Sequence, residues 1–223
     1  MAEGGKHDET YDMPPPPSYT SIYPATPDDI SDKFATMNCK PKDNNGFTDD
    51  MSLVIKAADL AARRHRKQRR KDATQTPYVN HPIGVAYILT NEGKITDAAT
   101  IIAAILHDTV EDTKTTDEEI RKMFGDEVAD IVKECTVMKS MKREERMKSQ
   151  LEKASKLSCK AKLIQLADKL YNIRDIERGT PFGWTNQQTM EYVLFAKDLL
   201  LNIRGTNGPL ETALDDVINK YMK

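Results

Sequence analysis

The chain has 223 residues, of which 39% are hydrophobic. This is enough for one domain with a single core and a tail, and leaves no room for a second catalytic domain. The formal net charge is only −2, so charge gives no reason to expect binding to nucleic acid or to a membrane surface. No stretch reaches the roughly 18 to 20 continuous apolar residues of a membrane span, and the N-terminus lacks an apolar signal core. We therefore predict a cytoplasmic protein in which any anion-binding site is local.

The first 47 residues differ in composition from the rest of the chain. They contain seven of the eleven prolines and no sustained apolar period. Such a segment buries too little apolar surface to offset the entropy of ordering it, so we predict a disordered tail over 1–47 and one domain over 48–223. Part of this tail matches the short proline-rich form that WW domains bind, although a chance match is the alternative. The residues of this predicted WW-domain contact are Pro16, Pro17, Ser18 and Tyr19.

From Thr48 onward, apolar residues recur at the three- and four-residue spacing of amphipathic helices. Start signals include Thr96-Asp97, the capping box formed by Thr116 and Glu119, and Thr185 or Asn186. No alternating pattern of useful length predicts a strand. The predicted fold is therefore all-α, an array of about eight to ten helices. The predicted helices are 48–70, 83–89 behind Pro82, 96–107, 116–124, 126–138, 139–153, 161–176, 185–204 and a last helix from Pro209.

The predicted domain contains three histidines, and one of them ends its most apolar helix. This helix is apolar nearly all round, so we expect it to be buried, and it ends at His107-Asp108. A buried charge must be paired or bound to metal. Because neighbours on a helix diverge by about 100°, His107 and Asp108 can share an ion only at a helix end. Glu111 and Asp112 follow within one turn and would act as acids and bases near such an ion, whereas His65, on a basic helix face, is not assigned to the site.

Two further side chains complete a candidate metal site. Asp168 lies beside the apolar stripe of the 161–176 helix and should point inward, and His81 immediately precedes a helix started by proline. With His107 and Asp108 they offer two imidazoles and two carboxylates to one divalent ion. This donor set suits manganese, iron, cobalt or zinc better than calcium. A bound ion of this kind acidifies its water and polarises a phosphoryl oxygen, which indicates phosphoester hydrolysis.

Three segments carry a resemblance to a known family. RRKDATQTPYVNHPIGVAYIL, AAILHDTVEDT and KLIQLADKLYNIRDI closely resemble the hydrolase domain of the RelA/SpoT family, over about 48–223 and most loosely over 137–160. The resemblance implies an all-helical HD fold, one Mn²⁺ ion and hydrolysis of the 3′-diphosphate of guanosine 3′,5′-bis(diphosphate), ppGpp. It also implies the NADPH phosphatase activity of the animal members. Carried over by position, it implies the metal ligands His81, His107, Asp108 and Asp168, the catalytic acids Glu111 and Asp112, and the nucleotide-binding residues Arg70, Lys71 and Asn172.

Basic and aromatic residues also favour a nucleotide site. Arg70 and Lys71 close a basic run whose earlier members favour an exposed helix face, and at its end a fork of donors can reach a base or a phosphate. Arg143 belongs to a second basic cluster that could approach the phosphates. Tyr192 and Trp184 also match family positions, and we assign Tyr192 to substrate binding. For Trp184 we favour core packing, the more common role of an aromatic residue at a helix start.

Several functions remain open at this stage. Hydrolysis of ppGpp and removal of the 2′-phosphate of NADPH fit equally well, because both substrates present a phosphorylated ribose hydroxyl near a purine. Another HD nucleotidase, acting on nucleoside monophosphates, would share the four metal ligands but would need no clamp formed by Arg70 and Lys71. A catalytically inactive helical interaction module is the third alternative, which intact Glu111 and Asp112 disfavour.

Overall fold

The computed structural model describes residues 47–137 and 140–222, with side chains from Asp50 onward. Within these ranges the chain forms ten helices, counting one single turn, so the predicted all-helical fold is confirmed. The predicted WW-binding segment lies outside the described residues, and the domain boundary after residue 47 stays a prediction. The helices are α1 Phe47–Arg64, α2 Asn80–Asn91, α3 Ala98–Leu106, α4 Thr109–Asp112, α5 Asp117–Phe124, α6 Asp126–Cys135, α7 Arg143–Ala154, α8 Cys159–Arg178, α9 Asn186–Asn202 and α10 Gly208–Tyr221.

Local side-chain bonds begin several of these helices where the sequence predicts. Asp97 accepts a hydrogen bond from the backbone N–H of Thr100 at 2.9 Å and caps α3. Thr116 caps α5, and Thr185 forms a reciprocal capping box with Gln188 that begins α9. Each cap satisfies a backbone N–H group that the helix itself leaves without a partner.

The first helix ends earlier than its periodicity predicts, at Arg64 and not near Arg70. The following residues turn back and pair with the segment around Pro77. Arg69 and Pro77 form an isolated antiparallel bridge, and the backbone N–H of Arg70 donates to the carbonyl of Thr76 at 2.8 Å. Helix propensity is a weak preference that such tertiary pairing overrides. This turn, rather than a longer helix, brings the end of the basic run to the functional site.

Two buried helices position that site. The short α3 packs against α1, α2, α6 and α8, and α8 packs against α2, α6, α9 and α10. The prediction that α3 is buried is confirmed, since Ala103, Ala104 and Leu106 are fully buried. Full burial of a leucine or isoleucine side chain contributes roughly 1.5 to 3 kcal/mol, so these helices form a stiff frame. None of the described helices is long and apolar enough to cross a bilayer.

Candidate metal centre and nucleotide cavity

The four predicted metal ligands come together from α2, α8 and the junction between α3 and α4. His81 lies in the first turn of α2, His107 directly follows α3, Asp108 precedes α4, and Asp168 lies in the middle of α8. The Nε2 atom of His81 is 3.1 Å from Oδ1 of Asp168 and 3.4 Å from Oδ2 of Asp108. Nε2 of His107 is 3.2 Å from the same oxygen of Asp108 and 3.9 Å from Oδ1 of Asp168. The structure thus joins residues that are up to 87 positions apart in the sequence.

These atoms fit a metal ion by spacing and by chemistry. Ligand atoms about 2.1 Å from one ion lie roughly 3.0 to 3.4 Å from each other, and three of the four separations fall in this range, whereas Nε2 of His107 and Oδ1 of Asp168 are 3.9 Å apart. Ligand atoms of His81, His107 and Asp108 all lie within 4.8 Å of one another. Nδ1 of His107 lies 2.7 Å from the carbonyl of Ala104, and donating to it leaves the lone pair on Nε2. That Nε2 atom is buried and has no hydrogen-bond partner among the described residues. An imidazole oriented through its other nitrogen is the usual arrangement of a metal-binding histidine.

The charges of the site also favour a cation. Burial raises the pKa of Asp108, but the neighbouring imidazoles of His107 and His81 outweigh this and hold the pKa well below its usual value. Burial lowers the pKa of His107, yet the charges of Asp108 and Asp168 raise it to about 9. Without a bound ion, a proton on Nε2 of His107 therefore faces the two carboxylates, and a divalent ion would have to displace this proton to bind the imidazole.

Lys169 is a buried residue beside Asp168 that the sequence did not predict as part of the site. Its ammonium group donates to Oδ2 of Asp168 at 2.6 Å and to the amide oxygen of Gln150 at 3.4 Å. Its side chain is only 7% exposed, and although burial lowers its pKa, the charge of Asp168 raises it above the ordinary value. Asn172 donates to the other oxygen of Asp168 at 2.7 Å. Both oxygens of this carboxylate are therefore oriented by donors from α8.

Tyr78 is a second residue that the sequence did not single out. Its hydroxyl donates to Oδ2 of Asp108 at 2.7 Å, and its ring lies 5.7 Å from that of His81. Burial, and after it the charges of Asp108 and Asp112, raises the pKa of this phenol well above its ordinary value. The phenol thus stays a neutral donor that orients a metal-site carboxylate.

The two predicted catalytic carboxylates have different surroundings. Glu111 faces the cavity; it accepts a hydrogen bond from Nη1 of Arg146 at 2.9 Å and from the backbone N–H of Val137 at 3.0 Å. Burial raises the pKa of Glu111, against the lowering effect of the Val137 bond. Asp112 is half-buried and accepts a hydrogen bond from Nε2 of Gln68 at 2.7 Å; Gln68 itself faces the cavity.

A cavity of about 430 Å³ opens beside the four ligands. This volume lies within the usual range of roughly 300 to 1,000 Å³ for small-molecule sites. Its wall combines cations, amides and aromatic rings, a composition suited to a phosphorylated ligand with a flat base. The residues of the wall that bear on function are Gln68, Arg70, Lys71, Tyr78, Glu111, Arg143, Arg146, Asn172, Trp184 and Tyr192.

Arg70 lines the cavity and is connected to the candidate metal centre through Asn172. Nη2 donates to Oδ1 of Asn172 at 2.7 Å and to Oδ2 of Asp175 at 2.9 Å, and Asn172 in turn holds Asp168. The guanidinium carbon lies 5.6 Å from the centre of the Tyr171 ring. Burial lowers the pKa of Arg70, but Asp175 more than compensates. The guanidinium carbon also lies 5.7 Å from the centre of the Tyr78 ring, so this fixed cation can offer a ligand its remaining N–H donors.

Arg143 and two aromatic rings form the opposite wall. The guanidinium carbon of Arg143 lies 4.9 Å from the centre of the Trp184 ring, and Nη1 donates to Glu191 at 2.9 Å. The Trp184 ring meets the Tyr192 ring edge to face at a centroid distance of 5.7 Å. The interpretation of Trp184 as core is wrong, because its ring is half-buried and lines the cavity.

His65 lies outside the metal site, to which the sequence did not assign it. Although it follows a basic helix face, it is only 1% exposed. Because α1 ends at Arg64, His65 falls in the turn that follows, and its ring packs against Tyr78 at a centroid distance of 4.9 Å. Its Nδ1 atom is 2.7 Å from the amide oxygen of Gln68. The sequence carries no signal for this burial, which depends on where the helix ends.

Comparison with known proteins agrees with this geometry. The HD domain family model matches residues 57–192. Guanosine-3′,5′-bis(diphosphate) 3′-pyrophosphohydrolase MESH1 of Xenopus tropicalis is 52% identical over 169 residues, which cover 76% of this chain and 94% of the relative. The human protein of the same name is 52% identical over 165 residues, covering 74% of this chain and 92% of that protein.

A solved structure shows the same fold. It is that of a metazoan ortholog of SpoT described as hydrolysing ppGpp and playing a role in starvation responses. The TM-score is 0.74 at 47% sequence identity, over 76% of this chain and 95% of that one. With the family match covering more than half of its length, this chain belongs to the HD domain family.

Proposed function

We propose that this chain is a metal-dependent hydrolase that converts ppGpp and water to GDP and pyrophosphate. The observation that carries the proposal is the junction between the metal site and the nucleotide clamp. Asn172 donates to the metal-site carboxylate of Asp168 and accepts from Arg70, so the two parts share one hydrogen-bond network. The activity named for the relatives that are 52% identical supports the same conclusion.

The proposed metal centre uses His81, His107, Asp108 and Asp168 to hold one Mn²⁺ ion. Two neutral imidazoles and two carboxylates suit this ion among the divalent transition metals. A divalent ion in this position lowers the pKa of its water and polarises a phosphoryl oxygen. Tyr78 and Lys169 keep the two carboxylates oriented, as the outer partners of metal ligands commonly do.

The proposed reaction breaks one P–O bond. Water attacks the phosphorus bonded to O3′ of the ribose, and O3′ leaves with the bonding electron pair and takes up a proton. Glu111 transfers a proton in this step. It faces the cavity, and burial raises its pKa. A carboxyl group with a raised pKa exchanges protons more effectively near neutral pH. Asp112 belongs to the same step as the second carboxylate of the pair.

The proposed nucleotide site uses the two basic and aromatic walls of the cavity. Arg70, Lys71 and Asn172 hold the base and ribose, with the remaining N–H groups of Arg70 as hydrogen-bond donors. Arg143, beside the ring of Trp184, is placed to meet phosphate charge, and Tyr192 closes this wall. We place the enzyme in the cytoplasm, where its nucleotide substrates are found.

The same cavity supports NADPH 2′-phosphatase activity as a second candidate. The clamp of Arg70 and Asn172 addresses the purine and ribose end that both substrates share. A phosphate on the adjacent ribose hydroxyl can therefore approach the same four ligands. Hydrolysis there gives NADH and inorganic phosphate.

A side-by-side assay tests both candidates. The purified full chain with added MnCl₂ should release pyrophosphate and GDP from ppGpp, with NADPH measured in parallel for phosphate release. Activity on nucleoside monophosphates alone would favour a different HD nucleotidase. Nucleotide binding without turnover of any of the three would favour an inactive interaction module.

A matched pair of variants tests the role of Glu111. Glu111→Gln should lower kcat by roughly 10²- to 10⁴-fold, the usual contribution of a general acid or base, while the bound metal content stays unchanged. The control is Glu152→Gln, since Glu152 is 65% exposed and, among the described residues, its ion pair is with Lys148 at 3.9 Å on the helix surface. Equal kcat values for the two variants would remove Glu111 from the mechanism.

A further inference from the structure

His65 and Gln68 form a partly buried chain of hydrogen bonds that runs from His65, through Gln68 in the cavity wall, to Asp112. Nδ1 of His65 lies 2.7 Å from the amide oxygen of Gln68, and the amide nitrogen of Gln68 lies 2.7 Å from Oδ2 of Asp112. The His65 residue is only 1% exposed, and Nε2 is buried with no hydrogen-bond partner among the described residues. The proposed reaction assigns no role to this histidine.

The orientation of the Gln68 amide sets the direction of both bonds. Its nitrogen donates to Oδ2 of Asp112, and its oxygen faces Nδ1 of His65. Because an amide oxygen only accepts hydrogen bonds, Nδ1 of His65 must carry a proton and donate. Nε2 has no hydrogen-bond partner among the described residues, which agrees with a tautomer whose proton is on Nδ1. His65 fixes the orientation of the amide, and the amide fixes one oxygen of Asp112.

The backbone around both residues is held in place. The carbonyl of Gln68 accepts a hydrogen bond from the N–H of Tyr78 at 3.1 Å, and the N–H of Gln68 donates to the carbonyl of His65 at 2.8 Å. The imidazole packs on the Tyr78 ring at an interplanar angle of 32°. A buried polar group with defined partners is costly to misplace. The chain of bonds is thus rigid enough to set the position of a side chain at its end.

We propose that His65 and Gln68 are positioning residues that hold the carboxylate of Asp112 for the hydrolysis reaction. The inference rests on the proposed role of Asp112 and adds the two residues that orient it. Neither residue contacts a metal ligand by a hydrogen bond, so their effect should appear in kcat and not in the affinity for Mn²⁺ or in KM. Misplacing a group near the reacting centre by about 1 Å can cost roughly 100-fold in rate, so loss of either residue should lower kcat by about tenfold or more.

Two substitutions of His65 separate positioning from packing. His65→Phe keeps an aromatic ring against Tyr78 but has no N–H donor. His65→Asn loses the ring but offers an amide N–H near the position of Nδ1. If positioning is the role, His65→Phe lowers kcat about tenfold or more and His65→Asn stays within a few-fold of wild type. The reverse order would show that His65 only fills space, and would overturn the proposal.

Gln68→Met tests whether the effect passes through Asp112. Methionine has nearly the same shape and no amide, so kcat should fall by about tenfold or more with KM and the metal content unchanged. In a D112N background the same substitution should have little further effect, because residues that act as a unit are not additive. An equal loss in both backgrounds would contradict the proposal. Asn202→Met is the control, since it removes an exposed hydrogen bond from the side-chain amide of Asn202 to the carbonyl of Asp198.

One measurement is independent of turnover. The ¹⁵N resonances of His65, in the full chain loaded with diamagnetic Mg²⁺, should show the proton on Nδ1 and a bare Nε2. A proton on Nε2 with a bare Nδ1 would overturn the bond order that the proposal requires, whatever the substrate. If the wild-type chain hydrolyses neither nucleotide, the proposed function fails. The ¹⁵N experiment still tests whether the hydrogen bonds from His65 through Gln68 to Asp112 have the direction that the proposal requires.

Discussion

Replacing Asp168 with alanine should remove two functions at once. Asp168 supplies Oδ1 to the metal site, 3.1 Å from Nε2 of His81, and Oδ2 to the ammonium of Lys169 at 2.6 Å. Metal binding and turnover should therefore be lost. In addition, Lys169, whose side chain is only 7% exposed, would keep its charge without its carboxylate partner.

The expected loss of stability follows from that burial. Removing one partner of a buried ion pair costs about 3 to 5 kcal/mol, because it leaves an uncompensated buried charge. For a domain of this size each kcal/mol lowers Tm by roughly 2 to 4 °C, so Asp168→Ala should unfold roughly 6 to 20 °C below the wild-type chain. Helical content at room temperature should stay close to that of wild type, since the core packing of α8 does not depend on the carboxylate.

Thermal unfolding followed by far-UV circular dichroism, with metal content measured in parallel, checks both parts. The control is the double variant Asp168→Ala/Lys169→Met, which removes the unpaired charge and should recover most of the lost stability without recovering metal binding. An unchanged Tm for Asp168→Ala would refute the importance of the buried pair. Retained Mn²⁺ affinity and turnover would refute the ligand set.

Three further predictions address the clamp, the protonation of the site and its packing. Arg70→Lys should raise KM about tenfold or more with a smaller effect on kcat, because lysine cannot replace a planar fork of donors; steady-state kinetics test this against Arg63→Lys, an exposed control. Between pH 7 and 8, Mn²⁺ binding should release about one proton, because the pKa of His107 is about 9 in the metal-free chain and a metal ligand must be deprotonated. Calorimetry in buffers of different ionisation enthalpy measures this release. No proton release would show that His107 is already neutral. The raised pKa also stabilises the metal-free fold below about pH 6.5, and that contribution is lost as the pH rises through about 9. Gly84→Ala should destabilise the fold by about 1 to 3 kcal/mol, because its Cβ would lie 2.0 Å from Cε2 of Tyr171; an unchanged denaturant midpoint would show that the ring moves freely aside.

Much of the site was predictable from local pattern. The apolar period indicates α3 and α8, and the side chains that interrupt the apolar pattern at the end of α3 and beside the stripe of α8 indicate His107, Asp108 and Asp168. The structure brings these three together with His81, as predicted. The assignment of Arg70 and Asn172 to a nucleotide clamp came from family resemblance, and it stays a proposal.

Other features depend on contacts between distant parts of the chain. No pattern in the sequence marks Lys169 as a buried residue. Because α8 is enclosed by several helices, the ammonium group of Lys169 lies beside Asp168. Trp184, for which core packing was the more common role, lies in the cavity wall, and His65, which was left outside the metal site, is buried. Each of these outcomes is set by neighbouring helices, which a single periodic pattern does not describe.

The amino-acid sequence by itself determined the helices, their caps and the chemical identity of the metal-site donors, because periodicity and capping act over a few neighbouring residues. Only the tertiary structure decided the end of α1 at Arg64 and the partners of the buried polar groups. Those partners are far apart in sequence: Gln68 and Asp112 are separated by 44 residues, and Arg70 and Asn172 by 102. A buried polar side chain must find its hydrogen-bond partner in space, and that requirement, rather than local propensity, gives the site its geometry.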